Sequence, residues 1–397
     1  MSMKNRLTIL AFVFMLAVFA LFIALPGDEA SVLKENRIPA SMPSVSLQNI
    51  FLGSFPSEFE DFLSDNVGMR GKLINISNKI GDLKGFKSYG YISNANADLG
   101  TGSADANKGL LVADGKIMEI FKEKPKAREK YIDMINFYAE KLPENIRLYS
   151  MLIPTQIEFQ QKKYSSLADS QKKTIYEIYS AANARIDCID AYSALESHKN
   201  EYIYFRTDHH WTTLGAYYAF CEFAKSADVD KADFSEYDEQ KLEGFLGYLY
   251  NQAQATELKN TPDDIYYYTK GENFEVDARA WENGEIVNYK TKLFVVPTVG
   301  EEVKYSIFLG GDHPLLSIDT DVNNSRRILV LKDSYANAFI PWLTGSFERV
   351  VAVDPRSFGG DLGEVIEEYN ITDVLLMNYT FTTTFEDIIE LEKGIYK

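Results

Sequence analysis

The order of apolar and polar positions separates a short N-terminal segment from a long region of alternating strands and helices. Apolar side chains fill the run from Leu7 to Leu25 with only Thr8 interrupting it, and Lys4 and Arg6 precede the run. A helix rises about 1.5 Å per residue, so this run is long enough to cross a hydrocarbon core of about 30 Å. The basic flank predicts a single-pass anchor with its N-terminus in the cytoplasm and the remaining chain outside. A cleaved signal peptide is the alternative, and it would also export the chain.

The sequence pattern predicts five regions with different organisation. Residues 1–30 hold the cytoplasmic stub and the anchor or signal segment, and residues 31–108 predict a stalk followed by a helical region. Residues 109–240 and 326–397 alternate apolar strands with amphipathic helices, which is typical of a parallel sheet. Residues 241–325 instead predict short antiparallel strands joined by tight turns. We therefore expect an α/β fold with a mostly parallel sheet, helices on both faces and an inserted antiparallel segment.

Composition and charge narrow the classes of function. The formal net charge is −17 and no basic stripe occurs, so the chain is not expected to bind nucleic acid, which requires clustered Lys and Arg. The two cysteines, Cys188 and Cys221, form no CxxC pair, which argues against thiol redox chemistry and a cysteine zinc site. Both are expected to be buried, and a disulfide between them stays open. Tyr and Phe each occur 25 times; most are expected in the core, and a sugar-binding groove is the alternative.

The motif RTDHHWTTLGAYY, residues 206–218, brings titratable side chains to a chain reversal. It follows the apolar stretch Glu201–Arg206, which predicts a strand, and it precedes a predicted helix. Asp208 lies two positions before His210, so its carboxylate can fix the imidazole tautomer and stabilise the imidazolium formed during proton transfer. The alternative is that Asp208 or Thr207 only caps the helix.

The second motif, ILVLKDSYANAF at residues 328–339, places Ser334 at the turn from an apolar strand into a helix. Such a turn exposes the hydroxyl at the end of the sheet and directs amides of the helix N-terminus at an oxyanion formed there. This is the logic of a nucleophile elbow, although the GxSxG string is absent. The alternative is that Asp333 or Ser334 is only a helix cap. The presence of both motifs in one chain favours catalysis.

TDHHWT at residues 207–212, followed by KDSYANAF at residues 332–339, resembles the bacterial DHHW proteins. These are similar to the alginate O-acetyltransferase group of the SGNH-hydrolase superfamily, in which the Asp-x-His motif precedes the serine in a circularly permuted order. The resemblance implies an SGNH-hydrolase-like fold with Ser334 as the nucleophile, His210 as the base and Asp208 as the residue that orients the base.

Further residues are candidates for oxyanion or substrate contacts. Lys332 stands where SGNH enzymes usually carry glycine, and it can either crowd the oxyanion or stabilise it by charge. Gly311, at the end of an apolar stretch that predicts a strand from residue 304, and Asn378 are the candidates for the glycine and asparagine oxyanion positions. Tyr335 and Trp211 complete the set, with packing in the core as the alternative for Trp211.

These features predict a serine-dependent O-acetyltransferase or acetyl esterase that acts on a cell-surface or exported polysaccharide through an acyl-serine intermediate. No cofactor and no metal are expected. A membrane-bound O-acyltransferase is a candidate partner that would supply acetyl groups. Two alternatives stay open. One is a metal site of Asp208, His209 and His210, although adjacent histidines in a turn diverge. The other is a non-enzymatic surface glycan-binding or assembly protein that retains the fold.

Overall fold

The computed structural model describes residues 108–397, except 161–163, 165–166, 254, 272–273, 283–284 and 300–301, together with the strand Gly90–Asn94 and five isolated positions before it. The chain divides into two compact units. The first consists of Met1–Gly115 and Tyr248–Asn260, and the second consists of Lys116–Gly247 and Thr261–Lys397. Both sequence motifs lie in the second unit.

The regular elements follow one another along both units. In chain order the strands are β1 (Gly90–Asn94), β2 (Lys108–Ala113), β3 (Lys116–Glu119), β4 (Arg147–Ile153), β5 (Ile186–Cys188), β6 (Asp238–Phe245), β7 (Asp263–Thr269), β8 (Glu275–Glu282), β9 (Glu285–Lys292), β10 (Leu315–Asp319), β11 (Arg327–Lys332), β12 (Arg349–Val353) and β13 (Asp373–Tyr379). The α-helices are α1 (Pro125–Lys141), α2 (Gln171–Ser180), α3 (Ala191–Ser197), α4 (Thr213–Ala227), α5 (Tyr248–Ala253), α6 (Thr256–Lys259), α7 (Ala336–Leu343), α8 (Leu362–Glu368) and α9 (Glu386–Gly394).

The first unit holds β1 and β2, which form an antiparallel pair in which Tyr91 is registered with Leu111. The short helices α5 and α6 also belong to it. The predicted membrane span from Leu7 to Leu25 lies outside the described residues, apart from Phe12. Within the part of the chain that the structure describes, no helix combines the length and the apolar character that a membrane crossing requires.

The second unit is built on an eight-stranded sheet with the order β5-β4-β13-β11-β12-β10-β8-β9. The first five strands run parallel, with Leu329 of β11 registered against Val374 of β13 and Val351 of β12. Strands β10, β8 and β9 continue the same sheet in antiparallel pairing. The predicted α/β class with a mostly parallel sheet is confirmed. Much of the predicted antiparallel segment extends this sheet, while β6 and β7 pair as a separate two-stranded sheet.

Apolar side chains on both faces of the parallel strands explain why helices cover both sides. On one face, Leu329 and Val374 join a core cluster that includes Tyr131 of α1. On the other face, Tyr149 of β4 packs edge-on against Phe223 of α4, with ring centroids 5.3 Å apart. Strands that are buried on both faces need nearly continuous apolar sequences, and that composition made them recognisable.

The predicted strand Glu201–Arg206 is wrong. Tyr204 makes an isolated bridge to Trp211 across the chain reversal, and no ladder develops over these described residues. The Arg206 amide donates instead to the carboxylate of Asp263 at 3.0 Å. The backbone therefore leaves extended pairing just before the first motif begins.

The predicted strand from Lys304 to Gly311 is also wrong. The chain forms one 3-10 turn at Tyr305–Ile307, after which Leu309, Gly310 and Gly311 adopt φ angles of 63°, 85° and 113°. A positive φ is incompatible with an extended strand. The two consecutive glycines have no Cβ, so they can adopt the positive φ angles of this loop at little steric cost.

The two cysteines, whose pairing is open from the sequence, are both free and partly buried. Burial raises the pKa of the Cys188 thiol to about 11. This thiol therefore stays protonated near neutral pH, where it is a weak nucleophile.

A carboxyl is buried between α9 and β13. Glu392 is 1% exposed and accepts a hydrogen bond from the side-chain amide of Asn378 at 2.8 Å, and the Tyr131 hydroxyl donates to the same amide at 2.9 Å. Burial, helped by the nearby carboxylates of Asp333 and Asp354, raises the pKa of Glu392 to about 8 despite the hydrogen bond. Its second oxygen has no hydrogen-bond partner among the described residues, so the site favours the neutral carboxyl.

Glu392→Gln is expected to stabilise the protein near pH 8, by up to a few kcal/mol. The folded state keeps a proton on Glu392 that the unfolded state loses above an ordinary pKa of 4.5. The free energy of unfolding should therefore fall as pH rises from about 4.5 to about 8, and the glutamine variant should lack this slope. Chemical denaturation at several pH values measures how the free energy of unfolding depends on pH in each of the two proteins. Equal slopes in the two proteins would contradict this account.

Candidate active site

The DHHW turn, residues 207–212, leads into the start of α4. Thr212 caps this helix because its hydroxyl accepts an amide of the first helical turn at 3.3 Å. The alternative in which Asp208 or Thr207 serves only as the cap is therefore wrong. The Asp208 carboxylate instead accepts the His210 amide at 3.0 Å.

A buried carboxylate from β7 fixes the DHHW turn. Asp263 is fully buried and accepts hydrogen bonds from the Thr207 amide at 2.8 Å and the Thr207 hydroxyl at 2.6 Å. It also accepts from Arg206 Nε at 3.0 Å and from the Tyr202 hydroxyl at 2.6 Å. A carboxylate removed from water needs such partners, and charge-assisted hydrogen bonds hold their geometry strongly. Asp263 is a positioning residue that the sequence did not reveal, because no motif surrounds it.

Asp208, His210 and Ser334 form one hydrogen-bonded chain. The distance from Asp208 Oδ1 to His210 Nδ1 is 2.6 Å, and the distance from His210 Nε2 to Ser334 Oγ is 2.7 Å. Both distances lie in the range of about 2.6–3.2 Å that proton transfer from a nucleophile to its base requires. With Nδ1 donating to the carboxylate, Nε2 is left to accept the serine proton. The structure thus brings together all three residues of the predicted triad.

The surroundings of Asp208 favour its ionised form although the residue is only 4% exposed. Burial raises the pKa of its carboxyl. The imidazoles of His210 and His209 and the hydrogen bonds from His210 outweigh burial and hold this pKa well below its usual range. Gly247 supplies the room, since a Cβ there would lie 2.3 Å from the Cβ of Asp208. An anionic carboxylate at this position can stabilise the imidazolium that forms when His210 takes a proton.

Asp333 holds the serine turn, residues 333–335, and leaves the Ser334 hydroxyl to the imidazole. One Asp333 oxygen accepts the Tyr335 amide at 2.9 Å, and the other accepts the Tyr379 amide at 2.7 Å and the Thr382 hydroxyl at 3.2 Å. The Ser334 amide has no acceptor among the described residues. Its N–H can therefore donate to an oxyanion that forms when an ester carbonyl is attacked.

Two hydrogen bonds fasten the serine turn to the DHHW turn. The indole Nε1 of Trp211 donates to the Tyr335 carbonyl at 2.9 Å, and the Tyr335 hydroxyl donates to the His209 carbonyl. Both side chains are fully buried, and their ring centroids lie 5.6 Å apart. The predicted substrate contacts of Trp211 and Tyr335 are therefore wrong. These side chains set the spacing between the two turns and are out of reach of a substrate.

Gly311 and Asn378 are also not placed as oxyanion donors. The Gly311 amide already donates to the Phe308 carbonyl at 3.0 Å. The Asn378 side chain is 1% exposed and hydrogen-bonds to Tyr131 and Glu392 inside the core. Both predictions are wrong because these polar groups are already engaged within the fold.

A tyrosine from the loop after β9 covers the imidazole of His210. The rings of Tyr305 and His210 are stacked, with centroids 3.8 Å apart and planes within 4° of parallel. His209 also contacts this imidazole, with ring centroids 3.8 Å apart, and its Nδ1 lies 3.7 Å from Asp208 Oδ1, outside hydrogen-bond distance. Stacking restricts rotation of the His210 ring. The sequence did not reveal this role because Tyr305 lies in a stretch that predicts a strand.

Lys332 points into an ion cluster rather than at the Ser334 hydroxyl. Its Nζ donates to Asp312 Oδ1 at 2.8 Å and lies 3.8 Å from Asp354 Oδ2, and its side chain is completely buried. Arg356 pairs with both carboxylates. Asp312 Oδ1 also accepts from Asn337 Nδ2 at 2.8 Å, in the first turn of α7. The cluster therefore ties the loop before β10 to the helix that follows the serine.

Asp208, His209 and His210 offer three ligand atoms within 4.8 Å of one another. Both ring nitrogens of His210 already take part in the hydrogen-bonded chain to Asp208 and Ser334. A metal ion bound by His210 would break one link of that chain. The metal site and the triad are thus competing uses of the same residues, and a chelator distinguishes them.

Lys332→Met is expected to lower the free energy of unfolding by about 3–5 kcal/mol, because it leaves the carboxylates of the ion cluster without their buried partner. Lys290→Met on β9 is the matched control. Its side chain is 60% exposed and its ammonium pairs with two surface carboxylates, so the loss should stay below about 1 kcal/mol. Urea denaturation of both variants measures the difference. Similar losses would contradict a structural role for the buried ammonium.

Tyr305→Leu is expected to lower kcat/KM for a simple acetyl ester by about 10–100-fold, because the His210 ring loses the surface that restrains it. Tyr305→Phe keeps the stacked ring and should retain most of the activity. Steady-state kinetics on the two variants separate the ring from the hydroxyl. An equal loss in both would show that the hydroxyl, and not stacking, is what matters.

Comparison with known proteins shows the family. The family described as DHHW protein matches residues 93–353, which is more than half of the 397 residues. Among solved structures, a DHHW family protein from Eubacterium siraeum is 28% identical with a TM-score of 0.65, over 78% of this chain and 99% of that chain. Bacillus cereus PatB1 is 21% identical with a TM-score of 0.59, over 72% of this chain and 100% of that chain. Another structure of PatB1 contains a sulfonyl adduct.

One further solved structure is less similar to this chain. The O-acetyltransferase domain of Pseudomonas putida AlgJ is 13% identical with a TM-score of 0.39, over 77% of this chain and 99% of that chain. No curated protein matches the sequence. The resemblance predicted from the two motifs is confirmed by the extent of the family match, and the chain belongs to the DHHW protein family.

Proposed function

We propose that this protein is a serine-dependent O-acetyltransferase or acetyl esterase that passes an acetyl group through Ser334. One observation carries the proposal: the hydrogen-bonded chain from Asp208 through His210 to Ser334, with distances of 2.6 Å and 2.7 Å. Asp208 and His210 are buried and Ser334 is partly exposed, so the base is shielded while the nucleophile can meet an ester.

The geometry supports a reaction in two halves. Ser334 Oγ attacks the acetyl carbonyl carbon while His210 Nε2 takes the hydroxyl proton, and the Ser334 amide stabilises the negative oxygen of the tetrahedral intermediate. The bond to the leaving oxygen then breaks, that oxygen receives the proton from His210, and acetyl-serine remains. In the second half His210 deprotonates an acceptor hydroxyl, which attacks the acetyl-serine carbonyl. The bond from this carbon to Ser334 Oγ then breaks, and His210 returns the proton to that oxygen. A sugar hydroxyl makes the reaction a transfer, and water makes it a hydrolysis.

The acceptor in this proposal is a cell-surface or exported polysaccharide. The resemblance of the two motifs to O-acetyltransferases of polysaccharides supports it. The sulfonyl adduct in PatB1, which has a similar fold, supports the nucleophilic chemistry, because sulfonyl groups attach to activated nucleophiles. Neither half of the reaction calls for a cofactor.

The proposed location is outside the cytoplasm, with the chain anchored by its N-terminal segment or secreted after cleavage. Lys4 and Arg6 before the apolar run from Leu7 to Leu25 support this orientation. A polysaccharide acceptor at the cell surface fits such a location. A membrane-bound O-acyltransferase would then supply acetyl groups from the other side.

Hydrolysis of an aryl acetate tests the proposal. Ser334→Ala is expected to abolish turnover, and Asp208→Asn is expected to lower kcat by about 10⁴-fold, because the imidazole tautomer is then wrong. His209→Ala is the matched control, since it removes an imidazole that contacts His210 but is outside the hydrogen-bonded chain. This variant should retain most of the activity, and a chelator should leave the rate unchanged.

Two results would contradict this mechanism: turnover that survives Ser334→Ala, and turnover that a chelator abolishes. If the native protein turns over no activated acetyl ester, the alternative of a glycan-binding or assembly protein that keeps the fold is favoured instead.

A further inference from the structure

An open groove lies beside the DHHW turn, within the second unit. It encloses about 610 Å³ and is formed by the start of α4, the segment before it and the antiparallel pair of β6 and β7. This volume is within the range of about 300–1,000 Å³ that is typical of ligand sites. No residue of the triad lines it. Its wall combines three tyrosines with three charged residues: Tyr202, Tyr266, Tyr268, Arg206, Glu239 and Asp264.

Hydrogen bonds and ion pairs hold the polar groups of the groove in place. The Tyr268 hydroxyl donates to Glu239 at 3.1 Å, and Lys241 Nζ lies 3.1 Å from Asp264 Oδ2. The Tyr202 hydroxyl is also engaged, because it donates to a buried carboxylate of β7 at 2.6 Å. The wall therefore offers fixed carboxylates beside partly exposed tyrosine rings, and Tyr202 and Tyr266 are the more exposed of these rings.

We propose that this groove binds sugar units of the polysaccharide that accepts the acyl group, an inference that rests on the proposed function. A pyranose ring has apolar C–H faces that pack on aromatic rings and hydroxyls that donate to carboxylates, and the groove offers both. An apolar ligand would instead strip water from Glu239 and Asp264 without replacing their hydrogen bonds, which is costly.

The charges of the groove select against acidic sugars. The guanidinium of Arg206 is paired with buried Asp263 at 3.0 Å, and Lys241 offsets Asp264. Glu239 then makes the net charge of the groove negative, and the chain as a whole has a formal net charge of −17. The carboxylates of a polyuronate would be repelled, whereas a neutral or amine-bearing glycan would not. The acceptor is therefore a neutral or amino-sugar polymer.

One carboxylate connects the groove with the segment that carries the base. Asp263 accepts the Tyr202 hydroxyl from the groove wall and the Thr207 amide from the DHHW turn. A polymer held in the groove is thus bound next to the turn that positions His210.

Isothermal titration of the full-length Ser334→Ala protein tests this site without turnover. The probes are hexasaccharides of glucose, glucosamine and mannuronate, which are equal in length and neutral, cationic and anionic. The glucose and glucosamine hexamers are expected to bind, and the mannuronate hexamer is not. Adding Tyr266→Ala should weaken binding by about 10-fold, because an aromatic surface is lost. Tyr176→Ala on α2 is the matched control, since this tyrosine is 72% exposed and does not line the groove, and its affinity should not change.

Any one of three results would overturn the inference. These are no binding of the glucose and glucosamine hexamers, equal binding of all three hexamers, and an affinity that Tyr266→Ala does not alter. The titration uses a chain without the nucleophile, so its result is independent of acyl transfer. Glycan binding by a protein that never turns over an acetyl ester would contradict the proposed reaction and leave the groove assignment in place.

Discussion

The site depends on the attachment of the DHHW turn to the serine turn. His210 in the first turn and Ser334 in the second are 124 positions apart in the sequence. Trp211 and Tyr335 each donate a hydrogen bond to the backbone of the opposite turn, and both are fully buried. Hydrogen bonds made away from water are costly to break, because the abandoned group has no substitute partner. The 2.7 Å contact between His210 and Ser334 follows from this packing, since the two residues belong to different turns.

Three buried carboxylates make the arrangement rigid, and each has a different role. Asp208 orients the imidazole, Asp263 accepts the amide at the start of the DHHW turn, and Asp333 accepts amides of the serine turn and of β13. Burial raises the pKa of Asp333 although the amides it accepts act to lower it. Each charge is surrounded by N–H and O–H donors whose positions are fixed before a substrate arrives. These donors are engaged by the carboxylates, so they fix the positions of the two turns and of the imidazole.

Much of the fold and the triad could be predicted from the sequence, and the remainder could not for physical reasons. The parallel strands were recognisable because burial on both faces requires continuous apolar runs. Ser334 and the Asp208–His210 pair were recognisable because their spacing carries chemistry. An apolar pattern reports burial but not the hydrogen-bond partner, so Glu201–Arg206 has the pattern of a strand although its last amide, that of Arg206, donates to Asp263. Tyr305 acts through tertiary stacking alone, which leaves no local signal.

The central claim is that Ser334 carries an acyl group transiently. Intact-protein mass spectrometry after rapid mixing with an activated acetyl donor, followed by peptide mapping, tests it most directly. The account predicts a mass gain of one acetyl group that maps to Ser334, disappears when an acceptor is added, and is absent from the Ser334→Ala variant. An acetyl group that maps to another residue and forms equally in Ser334→Ala would contradict the account, because the hydrogen-bonded chain ends at the Ser334 hydroxyl.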